Sequence, residues 1–472
     1  MITKLIQRIF RRSPRSKVTQ SPAAGAPKRI SKKAHRIDPQ LLSKNAVKVT
    51  HTLQQGGYQA YIVGGAVRDL VLGIGPKDFD VATNATPEQV QKLFRKSRLI
   101  GRRFQIVHVT FFGKERPEII EVSTFRALLE NAGDHVADSG RILRDNVWGT
   151  QVEDATRRDF TINAMYYDPA TETVLDYHGG MADMQQRTLR MIGDPSKRYR
   201  EDPVRMLRAI RFAAKTGFNL APETRAPITK LAKLIHDVPP ARLFDEILKL
   251  LMSGYSWQAI QGLREAGLHH GVLPLLDAAL DPNEGVPGSE AFIRLALNNT
   301  DQRIQNGKGI SAGFLFATLL WPQLLNVWQK NLAAGMSNIT ALHDAMDDVI
   351  ATQSKGMMIQ RRFEADMREI WALQPRFDKR IGRFPQRMLE LPRFRAGYDF
   401  MLLRCATGER PESLGQWWTR FIDADPQQQE ELLAAVKDEV SLLGAGGPAA
   451  KRRRRRKPKA AAAAGPDQAA TD

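Results

Sequence analysis

The chain contains 472 residues, of which 42% are hydrophobic and 26% charged, and its formal net charge is +19. This length accommodates about three domains of ~150 residues each. A single cysteine, Cys405, excludes an internal disulfide framework. The apolar runs are all shorter than the ~18 residues that a membrane-spanning helix needs, which excludes an integral membrane class.

The N-terminal segment is strongly basic, because residues 1–36 contain 11 Lys/Arg and no Asp/Glu. Within residues 1–12, apolar side chains recur at helical spacing between basic ones. This pattern predicts either a short helix lying on an anionic membrane surface or a frayed basic arm. Residues 13–36 are rich in Pro, Ser, Ala and Lys, and we expect residues 1–36 to form a disordered basic extension.

The next segment, residues 37–180, is predicted to be an α+β domain. A helical pattern from Asn45 leads into the strand pattern AYIVGG, and further strand-like runs occur at DFDVAT, FQIVHVTFFG and PEIIEVSTF. The helical run TPEQVQKLF separates the first two of these runs. Interleaved strands and helices predict a mixed sheet with flanking helices.

Beyond residue 180 the sequence predicts helices almost throughout, with a neck at residues 181–260 and an all-α body and tail at 261–440. In EDPVRMLRAIRFAAKTG, we expect Asp202 to cap a helix, Pro203 to occupy its first turn and Gly217 to end it.

The last segment, residues 441–472, is low in complexity and is expected to be disordered. Its run from Lys451 to Lys459 contains 8 Lys/Arg. Nearly all of the net charge therefore lies in the two terminal segments. Basic tails of this kind are typical of binding to polyanions, either nucleic acid or an anionic membrane face.

Two aspartates in GGAVRDLVLGIGPKDFDVAT, Asp78 and Asp80, are separated by one residue in a stretch with strand propensity. Side chains alternate along a strand, so both carboxylates are expected on the same face. Adjacent negative charges repel and need a cation, a proton or solvent beside them. Paired aspartates can hold two Mg²⁺ ions, and we predict that Asp78 and Asp80 are catalytic metal ligands.

A glycine pair, Gly64 and Gly65, separates the preceding strand from a helix that carries Arg68. Backbone N–H groups beside the glycines, together with this guanidinium, suit a nucleotide polyphosphate. The stretch is not a Walker loop, since no Gly-Lys-Ser/Thr follows, and it also differs from GxGxxG.

Further candidate residues lie in the motifs that follow. Glu121 interrupts the apolar strand PEIIEVSTF, where an uncompensated carboxylate is costly. Asp159 in RRDFT is a rival acidic residue, either within the site or as the N-cap of the next helix. Arg157 and Arg158 can reach a triphosphate or the phosphate backbone of a nucleic acid, although one of them can have a purely structural role.

Taken together, the motifs resemble the class II branch of the polymerase-β-like nucleotidyltransferase superfamily, which contains bacterial poly(A) polymerases and tRNA CCA-adding enzymes. The resemblance covers residues 40–260 and is carried by YIVGGAVRDLVLGIGPKDFDVAT, IGRRFQIVHV, EIIEVSTFR, RRDFTINAMYYD and YREDPVRMLRAIRFAAKTGF. It implies an α+β catalytic head followed by a helical neck, body and tail. Two features resemble the poly(A) polymerase group: GRRF before the strand that carries His108, and the Arg-rich C-terminal extension. CCA-adding relatives mostly lack both.

The resemblance also implies roles for single residues. Either Glu121 or Asp159 corresponds to the third acidic group of the family. Asp202 and Arg205 correspond to residues that pair with the incoming base, whereas Arg208 and Arg211 line the nucleotide pocket. Adenine and cytosine both present a donor beside an acceptor, so this pair does not separate ATP from CTP. RNA contacts are expected from Arg102, Arg103, Lys451, Arg452, Arg453, Arg454, Arg455, Arg456 and Lys457.

The implied activity is template-independent addition of AMP from ATP to RNA 3′ ends, with two Mg²⁺ ions, release of pyrophosphate and promotion of RNA decay. One alternative is tRNA CCA addition. Another is a non-catalytic RNA-binding regulator, against which the intact Asp78/Asp80 pair argues. Expected partners are the 3′ ends of mRNA fragments, small RNAs and tRNA, and RNA-decay proteins. We expect a cytoplasmic monomer, and contact of residues 1–12 with the inner membrane face is one of the two alternatives for that segment.

Overall fold

The computed structural model describes residues 25–101, 105–113, 117–127, 147–270, 274–281 and 287–444. The chain divides into two compact units, with the division between Trp371 and Ala372. The expected RNA contacts Arg102 and Arg103, the basic run from Lys451 and the N-terminal residues 1–12 all lie outside the described residues.

An eight-stranded sheet forms the centre of the first half of the chain. Its strands are β1 (Lys28–Ile30), β2 (Ala60–Val63), β3 (Asp80–Thr83), β4 (Ser97–Ile100), β5 (Ile106–Phe111), β6 (Glu118–Thr124), β7 (Met165–Asp168) and β8 (Thr173–Asp176). Their order in the sheet is β1-β8-β7-β2-β3-β6-β5-β4. β3 and β6 pair in parallel, and all other neighbours are antiparallel, so the sheet is mixed as predicted.

Helices are interleaved with these strands and follow them to residue 201. They are α1 (Lys32–His35), α2 (Lys44–Gln55), α3 (Gly65–Val71), α4 (Pro87–Leu93), α5 (Gln151–Arg157), α6 (Gly180–Gln185) and α7 (Pro195–Glu201). Local sequence explains several of their ends. Thr86 and Gln89 form a reciprocal capping box at the start of α4, where Pro87 occupies the first turn.

The remainder of the described chain is helical, apart from a small parallel pair of strands, β9 (Thr188–Leu189) and β10 (Asn219–Leu220), which the sequence did not predict. Its helices up to the division are α8 (Val204–Thr216), α9 (Pro222–Leu231), α10 (Pro240–Leu251), α11 (Ser256–Glu265), α12 (Pro274–Leu280), α13 (Ser289–Gln305), α14 (Ala312–Ala333), α15 (Asn338–Ser354) and α16 (Arg361–Leu373). The α+β head and the all-α remainder agree with the predicted fold class.

The second unit has an aromatic core of its own. Trp418 is fully buried, and its ring packs edge-on against Phe377 and Phe421. The Trp418 indole N–H donates to the Phe377 carbonyl at 2.9 Å, which satisfies the buried donor. The helices here are α17 (Phe384–Leu389), α18 (Phe394–Ala406), α19 (Glu412–Asp423) and α20 (Pro426–Gly444). Across the described residues of the whole chain, no helix combines the length and apolar character needed to cross a bilayer.

Two local predictions were wrong. The disordered extension was expected to reach residue 36, but residues 28–36 are ordered: β1 pairs with β8, and Ile30 and His35 are buried. Asp202 does not cap α8: the helix begins after Pro203, and no side chain accepts a hydrogen bond from its first turn. The predicted end is correct, since Gly217 has a left-handed φ of 65° that favours glycine.

Candidate active site

Strand pairing places the acidic residues of the two central motifs side by side. Asp80 is the first residue of β3, and in the parallel register it lies opposite Glu121 of β6. DFDVAT predicts both aspartates within one strand, but Asp78 lies in the bend before β3, two residues ahead of Asp80. Asp78 is exposed, Phe79 between them is buried and Asp80 is partly buried.

Burial and neighbouring like charges destabilise the ionised form of Asp80. Burial and then the neighbouring Glu121 carboxylate raise the pKa of Asp80 to about 6, although Arg158 opposes the shift. On the other side of Glu121, the His108 Nε2 atom lies 3.4 Å from its Oε1 atom. The neighbouring carboxylates of Asp78, Asp80 and Glu121, which we call the carboxylate row, fit divalent cations, because carboxylate oxygens are the ligands that Mg²⁺ prefers.

Gly64 of the glycine pair lies beside two charged side chains. Gly64 has φ 71° and ψ −132°, a conformation that side chains with a Cβ rarely adopt. A Cβ at Gly64 would lie 3.4 Å from Arg158 Nη1 and 3.9 Å from Asp80 Oδ2. Both distances are ordinary van der Waals contacts, so it is the φ of Gly64 that favours glycine here, and the residue lies between Arg158 Nη1 and Asp80 Oδ2.

Arg158 is held in place by a buried polar network. Its Nη2 group donates to Asp154 at 3.0 Å, and its Nε group donates to the Tyr166 hydroxyl at 3.2 Å. Tyr166 in turn donates to the same Asp154 carboxylate at 2.6 Å. Burial opposes the charged form, but Tyr166 and Asp154 outweigh it and raise the pKa of Arg158. The guanidinium stays charged beside Asp80.

Asp159, the rival third acidic residue, has a different environment. Its carboxylate accepts from Arg208 Nε at 2.8 Å and from Nη2 at 2.6 Å. Burial would raise the pKa of Asp159, but the ion pair with Arg208 prevails and lowers it to about 2. The network continues on α8, where Arg211 donates to buried Glu246 at 2.8 Å. Asp159 thus links the head to α8, whereas Glu121 lies beside Asp80.

Arg68 also lies in an internal network. Its Nε and Nη2 groups donate to Asp69 at 2.8 and 2.7 Å, and its Nη1 group donates to Asn163 at 2.8 Å. Only 3% of the side chain is exposed. The expected contact of Arg68 with a triphosphate does not fit this position, because its donors already bind protein acceptors.

A cluster of five guanidinium groups, which we call the arginine cluster, comprises Arg126, Arg157, Arg158, Arg198 and Arg205. Burial and then the other four arginines lower the pKa of Arg157 to about 8. Asp154 and Glu201 compensate part of this charge: Glu201 accepts from Arg198 at 3.0 Å and from Arg205 at 2.9 Å. So much partly buried positive charge is suited to a polyanion.

Sequence reasoning missed two members of the arginine cluster. Arg126 follows β6, two residues beyond its end, and Arg198 lies four residues before Asp202 on α7. Arg126 is the last residue of the identified motif EIIEVSTFR, and Arg198 directly precedes the motif YREDPV, so their positions in and beside these motifs were the available signal. Arg198 also donates to the carbonyls of Arg157 and Arg158 at 2.5 and 2.7 Å, which fixes the segment between α5 and the Asp159 turn.

Asp202, which is predicted to pair with the base, is held by Arg242 of α10, a residue outside the motif YREDPVRMLRAIRFAAKTGF. Its Oδ2 atom accepts from Arg242 Nη2 at 2.5 Å. Its Oδ1 atom is buried and accepts no hydrogen bond from the residues that the structure describes. A cleft of about 100 Å³ beside it is lined by Arg200, Pro203, Leu234, Asp237, Val238, Pro239 and Arg242. The free carboxylate oxygen can accept a hydrogen bond from a ligand.

Comparisons with known proteins agree with this arrangement. The poly(A) polymerase head domain matches residues 60–190, and a region described as a probable RNA- and SrmB-binding site of polymerase A matches residues 217–280. The arginine-rich C-terminus of polymerase A matches residues 334–459. Together these family models span more than half of the chain.

Individual relatives differ in how much of the chain they share. Poly(A) polymerase I of Salmonella typhimurium is 46% identical over 408 residues, which cover 84% of this chain and 87% of that protein. The CCA-adding enzyme of Bacillus pumilus is 39% identical over 226 residues, 48% of this chain and 54% of that enzyme. A solved structure of the Bacillus stearothermophilus CCA-adding enzyme in complex with CTP is 26% identical, with a TM-score of 0.53, and covers 86% of this chain and 94% of that chain.

The mixed sheet, the carboxylate row and the matched head domain define an enzyme of the nucleotidyltransferase class. The chain belongs to the poly(A) polymerase family. This confirms the resemblance read from the motifs. It favours the poly(A) group over the CCA-adding group, because the Salmonella typhimurium poly(A) polymerase aligns with 84% of this chain and the Bacillus pumilus CCA-adding enzyme with 48%.

Proposed function

We propose that this enzyme adds adenylate units from ATP to the 3′ ends of RNA, without a template, and releases pyrophosphate. The observation that carries the proposal is the parallel register of Asp80 with Glu121, with Arg158 of the arginine cluster facing Asp80 across Gly64. Carboxylates suited to cations therefore lie next to guanidinium groups suited to phosphates.

Asp78 and Asp80 are the residues that would hold two Mg²⁺ ions, with Glu121 as the third acidic group. When bound, Mg²⁺ would lower the pKa of an attacking hydroxyl and neutralise charge on the leaving group. Glu121 is preferred to Asp159 because it is in register with Asp80, whereas Asp159 is committed to Arg208. His108 limits the rotation of Glu121 from the opposite side.

The arginine cluster would bind the triphosphate of ATP. A nucleoside triphosphate is a polyanion whose oxygens accept hydrogen bonds from guanidinium groups in a planar, bidentate manner. Bringing this anion beside Arg157 would favour its charged form, whose pKa is lowered to about 8 in the free chain. Binding energy at the phosphates would thereby position the α-phosphate near the carboxylate row.

The base would be read by Asp202, with Arg205 as its expected partner. The exocyclic amino group of adenine can donate to the free Oδ1 atom of Asp202, because Arg242 occupies only Oδ2. Arg205 is oriented by Glu201 and by the Arg198 carbonyl, each at 2.9 Å. Cytosine offers an amino group too, so the choice of ATP rests on the closer relationship to poly(A) polymerases.

In the reaction, the 3′-hydroxyl oxygen of the RNA forms a bond to the α-phosphorus, and the bond from that phosphorus to the β-phosphate bridging oxygen breaks. Pyrophosphate leaves towards the arginine cluster, and the hydroxyl proton passes to solvent. The chain contributes chiefly by holding the two reactants in line, and orientation alone accounts for a large part of such rate enhancements.

RNA would be recruited largely through charge. We assign this role to Arg102, Arg103 and the run from Lys451 to Lys457, all of which lie outside the described residues. Contact with RNA-decay proteins, and membrane contact through residues 1–12, are secondary proposals that follow from the same basic segments.

The deciding experiment uses the purified full chain with Mg²⁺ and each of the four nucleoside triphosphates separately. One RNA acceptor is unstructured and the other is a tRNA that lacks its CCA end. We expect long adenylate tails with ATP on the unstructured RNA and little incorporation of CTP. Addition confined to CCA on the tRNA would favour the CCA-adding alternative. No incorporation with any nucleotide, but retained RNA binding, would favour the regulator.

A further inference from the structure

Two adjacent histidines and an aspartate form a cluster between α11 and α12, on elements that contribute nothing to the candidate active site. The chain leaves α11, turns at Gly267 with φ 69°, and buries Leu268. His269 and His270 follow, and Asp277 projects towards them from α12. We call these three residues the His-His-Asp cluster.

The ligand atoms of the cluster lie close together, and the two histidines face different oxygens of the Asp277 carboxylate. His269 Nε2 lies 3.9 Å from Asp277 Oδ1, and His270 Nδ1 lies 3.6 Å from Asp277 Oδ2. One ligand atom from each residue lies within 4.8 Å of the others. These separations exceed a hydrogen bond but suit neighbouring ligands of one ion, because zinc–nitrogen and zinc–oxygen bonds of about 2.0–2.2 Å place tetrahedral ligands roughly 3.4 Å apart.

A second contact orients one of the imidazoles. The Nδ1 atom of His269 lies 3.4 Å from the Leu263 carbonyl oxygen, which can only accept a hydrogen bond. The proton of a neutral His269 is therefore placed on Nδ1, and the lone pair on Nε2 faces Asp277. A histidine that donates one ring N–H to a backbone carbonyl and offers its other nitrogen is the usual arrangement of a metal ligand.

The exposed side of the cluster leaves room for a fourth ligand. The His270 side chain is 75% exposed, so water can reach an ion held there. On the inner side, His269 and Asp277 border an apolar cavity of about 10 Å³, to which Ile260, Leu263, Leu276 and Leu280 contribute. An apolar cavity of this size supplies no ligand. Arg264 also borders it, and its Nη2 group donates to the Leu280 carbonyl at 2.6 Å.

We propose that His269, His270 and Asp277 bind one divalent first-row transition metal ion, with Zn²⁺ the best match. Two imidazoles and one carboxylate are a ligand set typical of Zn²⁺, and they exclude Mg²⁺, which prefers oxygen ligands. A bound ion would join the end of the α11 turn to α12 and stabilise this part of the helical region. The proposal concerns a site separate from nucleotidyl transfer.

The test is metal binding by the full chain, without an affinity tag that contains histidine. The protein is stripped of metal and kept in excess Mg²⁺, so that the carboxylate row does not take up the probe. Co²⁺ is titrated and followed by its visible absorption, and Zn²⁺ is titrated against a chromophoric chelator. We expect one site per chain, with affinity reduced at least ~10-fold in His270→Ala and in Asp277→Asn.

His343→Ala is the matched control, because His343 is also exposed in a helix of the same half of the chain but has no cluster around it among the described residues. Its affinity should equal that of the wild type. The His270 side chain is 75% exposed, so His270→Ala is expected to fold normally. Equal affinity of wild type and His270→Ala, or no stoichiometric Co²⁺ spectrum in the wild type, would overturn the proposal. A Zn²⁺-dependent rise in unfolding temperature, absent in His270→Ala, would be independent support.

Discussion

Replacing Asp80 by asparagine should stabilise the metal-free protein while abolishing its activity. The reason is electrostatic. Burial and the Glu121 carboxylate raise the pKa of Asp80 to about 6 in the folded chain, from an ordinary value of 3.8. The folded state therefore binds this proton more tightly than the unfolded state does, and stability is lost as the pH rises from the lower value to the higher one.

The magnitude follows from that difference. Each unit of pKa difference corresponds to about 1.4 kcal/mol, so an ionised Asp80 lowers the free energy of unfolding at neutral pH by up to ~3 kcal/mol. Asparagine is neutral and has nearly the shape of the protonated carboxyl group. Asp80→Asn should therefore raise the free energy of unfolding by about 1–3 kcal/mol at neutral pH. Near pH 4 it should raise this free energy very little, because Asp80 of the folded chain is already protonated.

Urea unfolding in EDTA, at neutral pH and near pH 4, measures both values. Asp78→Asn is the matched control, because Asp78 is exposed in the bend before β3 and its replacement should change stability by less than about 0.5 kcal/mol. Mg²⁺ should then stabilise the wild type and not Asp80→Asn. An Asp80→Asn protein no more stable than Asp78→Asn at neutral pH would refute the electrostatic reasoning.

Three other changes have distinct expected results. Asp159→Asn should destabilise the fold by about 1.5–3 kcal/mol in urea unfolding, because the partly exposed Arg208 loses its charged hydrogen-bond partner. Since the pKa of Asp159 is lowered to about 2, its contribution is present above about pH 4 and is lost as the pH falls towards 2; unchanged stability would contradict the pairing. Glu121→Gln should lower the adenylation rate ~10–100-fold with RNA affinity retained, and wild-type rates would exclude it as the third acidic group. Deleting residues 451–472 should reduce the slope of log affinity against log salt by about 0.7 for each RNA phosphate that the tail neutralises; equal slopes would leave a protein or membrane partner as the target of this tail.

The sequence predicted the parts of the site that depend on local pattern. The spacing in DFDVAT identified Asp78 and Asp80 as candidates, although only Asp80 lies in a strand, and a carboxylate within the apolar run of β6 identified Glu121. The sequence did not predict that β3 and β6 pair in parallel. The register between strands about 40 residues apart depends on the assembled sheet rather than on either strand alone.

Long-range ion pairs account for most of the differences. Asp159 was assigned either to the metals or to a helix cap, but its partner Arg208 lies 49 residues away on α8. Asp202 is a residue type typical of N-caps, but its carboxylate forms an ion pair with Arg242 of α10 instead of capping α8. The strand β1 is three residues long and pairs with β8 far along the chain, so no periodicity could reveal it. Each of these contacts forms only when distant elements pack together.

The central claim is that the carboxylate row directs attack of an RNA 3′-hydroxyl on the α-phosphate of ATP. The most direct measurement compares two RNAs that differ only in a 3′-hydroxyl or a 3′-deoxy end, with α-labelled ATP, Mg²⁺, and either the wild type or Asp80→Asn. We predict that only the wild type with the 3′-hydroxyl RNA incorporates label, and that one pyrophosphate is released for each adenylate added. Label transferred to the 3′-deoxy RNA, or substantial incorporation by a well-folded Asp80→Asn protein, would contradict it.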